Sequence, residues 1–203
     1  VPCLLEGAVA FDRELSVVAA RGADGAVRCF PLGCNTHRDG ILVRTDAPAE
    51  VSPALQAAAD GIAAAALGAL SYVGVLAIEL FQVGDALWVN ELAPRVHNSG
   101  HWTQDGARCD QFEQHMRAVA GLPLGDPALL HPATVMLNVL GEAPPAAAIL
   151  AEPLAHLHLY AKAPRPGRKL GHVNLAGPAD AVAAAAARVE AVLSARSPGP
   201  GPS

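Results

Sequence analysis

Charge is scarce in this chain of 203 residues: 16% of positions are Asp, Glu, Lys or Arg, against 52% hydrophobic. So apolar a composition argues against intrinsic disorder outside the end of the chain, where RSPGPGPS (196–203) is expected to be a frayed tail. Lysine is scarcer still: Lys162 and Lys169 stand against twelve arginines. The formal net charge of -5 excludes a general nucleic-acid binder, which needs a basic balance to neutralise phosphates. The four cysteines, Cys3, Cys29, Cys34 and Cys109, have no CxxC spacing and follow no secretory signal. They read as free thiols in a reducing cytosol, so a cytoplasmic location is expected. The run from Ile62 to Ile78 has the length of a membrane span, but Ser71 interrupts it and alanine partitions weakly. Gly74 and the β-branched residues around it instead mark a helix ending and a strand beginning, so no membrane association is expected. The chain starts on Val1, already strand-like, and is expected to be a piece of a longer protein. Internal repeats and regular βαβ alternation are both missing, which favours an α+β class with a largely antiparallel sheet.

Three short strands are expected within residues 2–33, with turns at Asp12-Arg13 and at Ala23-Asp24-Gly25. Ser52 as N-cap and Pro53 at the first helical position predict a helix to Leu70. YVGVLAIELFQV and ALWVNEL, joined by Gly84-Asp85, predict a hairpin. By the two-residue period Val75, Ala77 and Glu79 share one face, and Leu76, Ile78 and Leu80 the other. A helix is expected from Asp105 to Val119, strands over 133–141, 154–162 and 171–177, and a last helix over 179–195, whose alanines are packing surface.

The run WVNELAPRVHNSGHWTQDG, Trp88 to Gly106, gathers hydrogen-bonding chemistry that an apolar core could not satisfy. Glu79 and Glu91 fall in the two strands of the predicted hairpin and can project from one face. With the amide oxygen of Asn90 they form an oxygen-only set suited to Mg²⁺, with Mn²⁺ as an alternative. From the spacing alone they are equally a solvated edge-strand pair. Arg95 offers a planar fork for phosphate or carboxylate. Ser99 and Gly100 permit close backbone approach to an anion, and His97, Asn98 and His101 donate or accept as needed. Lys162, Arg165, Arg168 and Lys169 place four cations in eight residues. That convergence suits a phosphate; an exposed charge run or a short nucleic-acid patch are the alternatives. His156 and His158 alternate on one strand face and are expected in the core rather than the cleft.

These residues resemble the N5-carboxyaminoimidazole ribonucleotide synthetases, ATP-grasp enzymes of purine biosynthesis. The resemblance rests on NELAPRVHNSGHWTQDGARCDQFEQHMRAVAGLPLG, and on LLEGAVAFDRELSVVAARGADG, HRDGILVRTDAPA, YVGVLAIELF, VMLNVLG and HLHLYAKAPRPGRKLGHVNL in the same order. It implies the C-terminal lobe of an ATP-grasp domain over 1–125 and a small β-rich C-terminal domain over 126–195. The implied reaction is a carbon–nitrogen ligation: ATP phosphorylates bicarbonate, and the carboxyphosphate formed delivers CO₂ to the amine of 5-aminoimidazole ribonucleotide.

The resemblance also implies residue roles. Glu6, Gly7, Ala8 and Val9 match the strand whose backbone reads adenine. Glu14 matches the carboxylate that holds the ribose, and His37 and Asn90 match nucleotide contacts. Glu79 and Glu91 match the two Mg²⁺ acids. Arg95, His97, Asn98 and Ser99 would hold bicarbonate or carboxyphosphate, and Lys162, Arg165, Arg168 and Lys169 the substrate phosphate and part of the ATP site. No glycine-rich phosphate loop occurs here, so the resemblance further implies a missing N-terminal region, inactivity without it, and a homodimer at full length. The alternatives are a nucleotide-binding ATP-grasp fragment without turnover, or a related ligase or transformylase with another substrate.

Overall fold

The structure, a computed structural model, describes Cys3 and residues 6–195. The tail expected at 196–203 lies outside the described residues. The strands are β1 (Arg13–Arg21), β2 (Val27–Cys29), β3 (Gly33–Arg38), β4 (Ile41–Ala47), β5 (Gly74–Val83), β6 (Ala86–Ala93), β7 (Ala133–Leu140), β8 (Ala155–Leu159) and β9 (Lys169–Gly177). The helices are α1 (Pro53–Ala69), α2 (Thr103–Gly106), α3 (Gln111–Val119), α4 (Ala146–Leu150) and α5 (Ala179–Ser194), with a 3₁₀ turn at Asn98–Gly100. The strands form one antiparallel sheet in the order β6-β5-β1-β3-β4-β7-β9-β8, with β2 paired to β1.

Alternation along the central strands decides which side each helix covers. Leu15, Val17 and Ala19 of β1 and Leu76, Ile78 and Leu80 of β5 pack under α1, through its Leu55, Ala59, Ala63 and Leu67. The opposite face, with Val18, Ala20, Val75 and Ala77, packs against Phe30, Trp102 and Met136. Glu79 continues that second face toward the polar run. Beyond β4, the strands β7 and β9 pack Val135, Leu137, Val173 and Leu175 against Val182, Ala185, Ala186 and Val189 of α5. The sheet therefore runs without a break from the hairpin that carries Glu79 and Glu91 to the strand that carries Lys169.

Several expectations are corrected. Cys3 and Glu6–Phe11 form no strand: among the described residues no strand lies beside this segment, so it runs without a ladder, anchored where Phe11 stacks on Phe81 at 4.4 Å. The helix expected from Asp105 to Val119 is two. Ala107 is extended (φ -123°, ψ 154°), and the Asp110 carboxylate caps α3 by accepting from the N–H groups of Phe112 and Glu113. A hairpin, β3–β4, occupies residues not read as strands, turning at Asp39 and Gly40 with positive φ. The strand expected over 154–162 ends at Leu159, and α4 was not expected.

The start of α1 is as expected. The Ser52 hydroxyl accepts from Leu55 N–H with Pro53 beginning α1, and Cys29, Cys34 and Cys109 are thiols. Among the described residues no helix is long and apolar enough to cross a membrane.

Because Asp110 satisfies two N-terminal N–H groups of α3, Asp110→Ala should cost about 1 kcal/mol of stability. A urea midpoint unchanged beyond error would remove that role.

Candidate functional site

In the β5–β6 hairpin Glu79 stands directly opposite Glu91, and a bulge follows: Leu80 pairs with Val89, which leaves Asn90 as the extra residue. A bulge turns a strand and re-aims its side chains; here it brings Glu91 opposite Glu79 and leaves Asn90 exposed. Donor atoms of Glu79, Glu91 and His97 lie within 4.8 Å of one another, the group of this kind found among the described residues. Burial, and then the facing Glu91, raise the Glu79 pKa. Two carboxylates held together at that cost fit a hard divalent cation, which would relieve both terms.

His97 belongs to the site in a different way. Its Nδ1 lies 2.9 Å from Ser99 Oγ and 3.4 Å from the Ser99 backbone nitrogen. A backbone N–H only donates, so Nδ1 accepts and the ring proton sits on Nε2. That Nε2 faces Glu79 Oε1 at 3.6 Å. The imidazole thus orients the carboxylate, and its lone pair is not available to a metal on that side. Burial and then Arg95 and Lys169 push His97 down to about 4, so it is neutral at pH 7.

The polar loop after β6 hangs on one buried amide. Gln111 Oε1 accepts from His97 N–H at 2.8 Å, and Gln111 Nε2 donates to His97 C=O at 2.8 Å and to His101 Nδ1 at 2.9 Å. The Gln111 N–H reaches Thr103 Oγ1, which donates to Gly100 C=O. Gly100 has to be glycine, because a Cβ there would lie 2.5 Å from Gln111 Oε1. Ser99 is fully buried, and the side-chain oxygen of Asn98 is buried without a protein partner.

Glu79, Glu91, His97 and Asn98 wall a cavity of about 420 Å³ that also takes in His37, Arg95, His101 and Lys169, while Ser99, Gly100, Thr103 and Gln111 lie outside its lining. Glu79 and Glu91 give it acidic lining, and Arg95 and Lys169 give it basic lining. Lys169 is pushed down to about 8, by burial first and then by Lys162 and Arg95. Of the four-cation run, Lys169 alone lines this cavity. Lys162 lies over the Tyr160 ring at 5.2 Å, Arg165 lines a separate cavity with Gly141 and Glu142, and Arg168 donates to Ala163 C=O at 3.4 Å. Glu14 and His37 meet across β1 and β3 as a close ion-pair contact. Glu6, Gly7 and Ala8 are exposed and Val9 is half-buried, all without a ladder.

His156 and His158 are not core residues, which corrects that expectation. His156 is exposed and His158 half-buried, and both turn to Asp105, at 3.5 and 2.8 Å. Burial alone would raise the Asp105 carboxyl, but hydrogen bonds from His158 and Asn174 hold it below its ordinary value. The buried histidine of the C-terminal strands is His172. It stacks on His158 at 4.5 Å and on His101 at 4.8 Å, with Tyr160 hydrogen-bonded to its Nδ1. The sequence reading missed Gln111, Asp105 and His172. The available signal was a glutamine immediately after a helix-capping aspartate, close behind a histidine-rich loop.

Residues 1–112 match the ATP-grasp domain, and residues 134–186 match the phosphoribosylaminoimidazole carboxylase C-terminal domain. An N5-carboxyaminoimidazole ribonucleotide synthase of Pseudomonas aeruginosa is 52% identical over 175 residues, 86% of this chain and 48% of the relative. The Escherichia coli synthase is 47% identical over 173 residues, 85% of this chain and 48% of the relative. Among solved structures, the N5-carboxyaminoimidazole ribonucleotide synthetase of Thermus thermophilus superposes with a TM-score of 0.90 at 51% identity, covering 92% of this chain and 52% of that one. An Aspergillus clavatus N5-carboxyaminoimidazole synthase, in complex with ADP and 5-aminoimidazole ribonucleotide, gives 0.82 at 33%, covering 91% of this chain and 51% of that one. The chain spans about half the length of the curated relatives it matches.

Two outcomes follow from the electrostatics. Mg²⁺ at 100 times its dissociation constant should add about 2.7 kcal/mol to stability, read as a rise in melting temperature that Glu79→Gln abolishes; an equal rise in that variant would exclude the carboxylate pair. The second concerns pH. Burial depresses His97 to about 4 and His101 to about 3. Folded values below the unfolded one give stability that is fully present above about 6.5 and lost as pH falls through the folded values. Melting temperature should therefore decline below pH 6.5, and a flat profile from pH 7 to 4 would contradict it.

Proposed function

Since the chain belongs to the ATP-grasp family, in its N5-carboxyaminoimidazole ribonucleotide synthetase branch, we propose that it supplies the anion- and metal-holding half of an ATP-dependent carboxylation. In the whole protein, a bicarbonate oxygen attacks the γ-phosphorus of ATP and the bond to ADP breaks. The carboxyphosphate formed releases CO₂ and phosphate beside the substrate. The exocyclic amine of 5-aminoimidazole ribonucleotide then bonds to that carbon and gives up a proton, leaving the N5-carboxy product. The observation that carries this reading is the single cavity lined both by two facing carboxylates and by Arg95 and Lys169.

Phosphoryl transfer leaves little covalent work for the protein, so positioning and charge placement do most of it. Glu79 and Glu91 would hold Mg²⁺, which when bound offsets charge on the phosphate oxygens. His97, its Nε2–H facing Glu79, keeps that carboxylate aimed. Arg95 presents a fork to bicarbonate or carboxyphosphate, and Lys169, a half-buried cation with a lowered pKa, adds a point charge beside it. Asn98 lines the pocket, where water must be excluded because carboxyphosphate is short-lived, and Ser99, fully buried and off the cavity lining, acts by fixing the His97 tautomer.

Glu14, His37 and Asn90 sit where a nucleotide could reach them, and the unladdered Glu6–Val9 segment leaves backbone groups for an adenine edge. Lys162, Arg165 and Arg168 remain exposed or half-exposed, free to take the ribonucleotide phosphate. Residues 1–125 and 126–195 act in this reading as grasp lobe and C-terminal unit. We further propose that the region of the relatives that this chain does not span is needed for turnover, and that the whole protein is a cytoplasmic homodimer.

The test is ADP release by this chain mixed with the half of the Pseudomonas aeruginosa synthase that it does not span. Release should require ATP, bicarbonate and 5-aminoimidazole ribonucleotide together, and fall at least 100-fold in Glu91→Ala, a loss on the scale of a transition-state charge contact. Release that proceeds with formate in place of bicarbonate would assign a transformylase. MgATP binding with no release under any combination would leave a nucleotide-binding module.

A further inference from the structure

His101 lines the same cavity but has no part in the roles above. Its chemistry is fixed from outside. The Gln111 amide sits between the N–H and the C=O of one residue, His97. The first only donates and the second only accepts, so Gln111 has one orientation: Oε1 toward the N–H, and NH₂ toward the C=O. The second amide hydrogen then points at His101 Nδ1, 2.9 Å away. A donor facing Nδ1 requires a lone pair there. A proton on that nitrogen would oppose the amide hydrogen and leave both buried, so the imidazolium and the Nδ1–H tautomer are disfavoured together. The ring's proton must be on Nε2.

The imidazole is held in its plane by stacking, and the Gln111 amide selects which edge faces it. The ring lies between Phe112, at 5.6 Å, and His172, at 4.8 Å, both nearly parallel to it. Burial, with Lys169 nearby, pushes His101 down to about 3, in agreement with the geometry.

We propose that His101 is a preset, uncharged hydrogen-bond donor, its Nε2–H serving an anionic oxygen held by Arg95 and Lys169. Gln111 is its positioning residue. An uncharged donor strengthens as negative charge grows on its partner, yet it does not pair off with Glu79 or Glu91 as a third cation would. The identity of that anion, a carboxyl or phosphoryl oxygen, rests on the carboxylating reading; the tautomer does not.

The experiment is long-range ¹H–¹⁵N correlation of the histidine side chains in the intact chain, with inorganic phosphate titrated in the presence of Mg²⁺. His101 should show the neutral Nε2–H pattern from pH 5.5 to 8.5, and its Nε2 resonance should move as phosphate binds. His101→Asn keeps an oxygen for the Gln111 amide but does not reach as far as Nε2, so it should weaken phosphate binding about tenfold, the scale of one hydrogen bond to a charged partner. An Nδ1–H or imidazolium pattern overturns the proposal, as does an Nε2 resonance that phosphate does not move or an Asn variant that binds phosphate as wild type does. If ADP release proves independent of bicarbonate, the carboxylating reading falls while these measurements still decide the role of His101.

Discussion

The site depends on the Gln111 side chain. A loop of alternating donors and acceptors, residues 97–103, is buried beside an apolar sheet face, where each unpaired backbone group would cost about 1–3 kcal/mol. One amide answers two of those groups and the His101 ring nitrogen at once, and Thr103 answers the next. Glutamine can do this because its carboxamide has the donor–acceptor pattern of a peptide group, so it pairs with His97 as a neighbouring strand would. Glutamate would lack the donors, and leucine would leave all three groups unanswered. The absence of a side chain at Gly100 lets the amide approach. Everything the loop presents to the cavity, from Arg95 to His101, is placed relative to that anchor.

The anchor also explains how one small cavity holds opposite charges without collapsing into internal ion pairs. His97 and His101 are both neutral with the proton on Nε2, one set by Ser99 and the other by Gln111. They stand between the carboxylate side and the cation side as dipoles. Glu79 pairs with neither Arg95 nor Lys169 at contact distance among the described ion pairs, and its pKa remains raised. Lys169 likewise keeps a lowered pKa instead of gaining a carboxylate partner. Groups left in such unfavourable states point to charged ligands on both sides, which is the pattern expected where a metal-bound nucleotide meets a small anion.

What the sequence disclosed follows from how local each signal is. The hairpin that carries Glu79 and Glu91 was legible from its Gly-Asp turn, but their facing was not: the turn's register alone would set Glu79 opposite Asn90, and only the bulge brings Glu91 across from it. The start of α1 was legible because Ser52 and Pro53 act on their own helix. The β3–β4 hairpin was not, although Asp39-Gly40 is a hairpin turn pair. Asn35, Thr36, His37 and Arg38 gave it the composition of a loop, and Asn35 is buried only because Thr45 donates to it across the sheet. The break between α2 and α3 was hidden for a similar reason. Thr103 bonds Gly100 and Gln111 and pulls the chain out of the helix, a tertiary demand that propensity does not record. The cation run was visible as composition, but the direction of each side chain was not, and only Lys169 reaches the cavity.

Sheet continuity has a further mechanical consequence. Lys169 begins β9, while Glu79 and Glu91 lie at the far side of the sheet, with β1, β3, β4 and β7 between. A cavity bounded by both requires the polar loop to fold over the sheet toward β9. Three contacts hold it there: Asn174 donates to His101 C=O at 2.9 Å and to Asp105 at 2.7 Å, and His158 on β8 meets the same carboxylate. Asp105 thus ties both C-terminal strands to the loop's end, and the His101–His172–His158 stack fills the space beneath. If those ties broke, the loop could keep its Gln111 anchor and still lose its register with Lys169. The acidic and basic sides of the cavity would then separate without either unfolding. The C-terminal strands therefore act as part of the site's wall and not as an appendage to it.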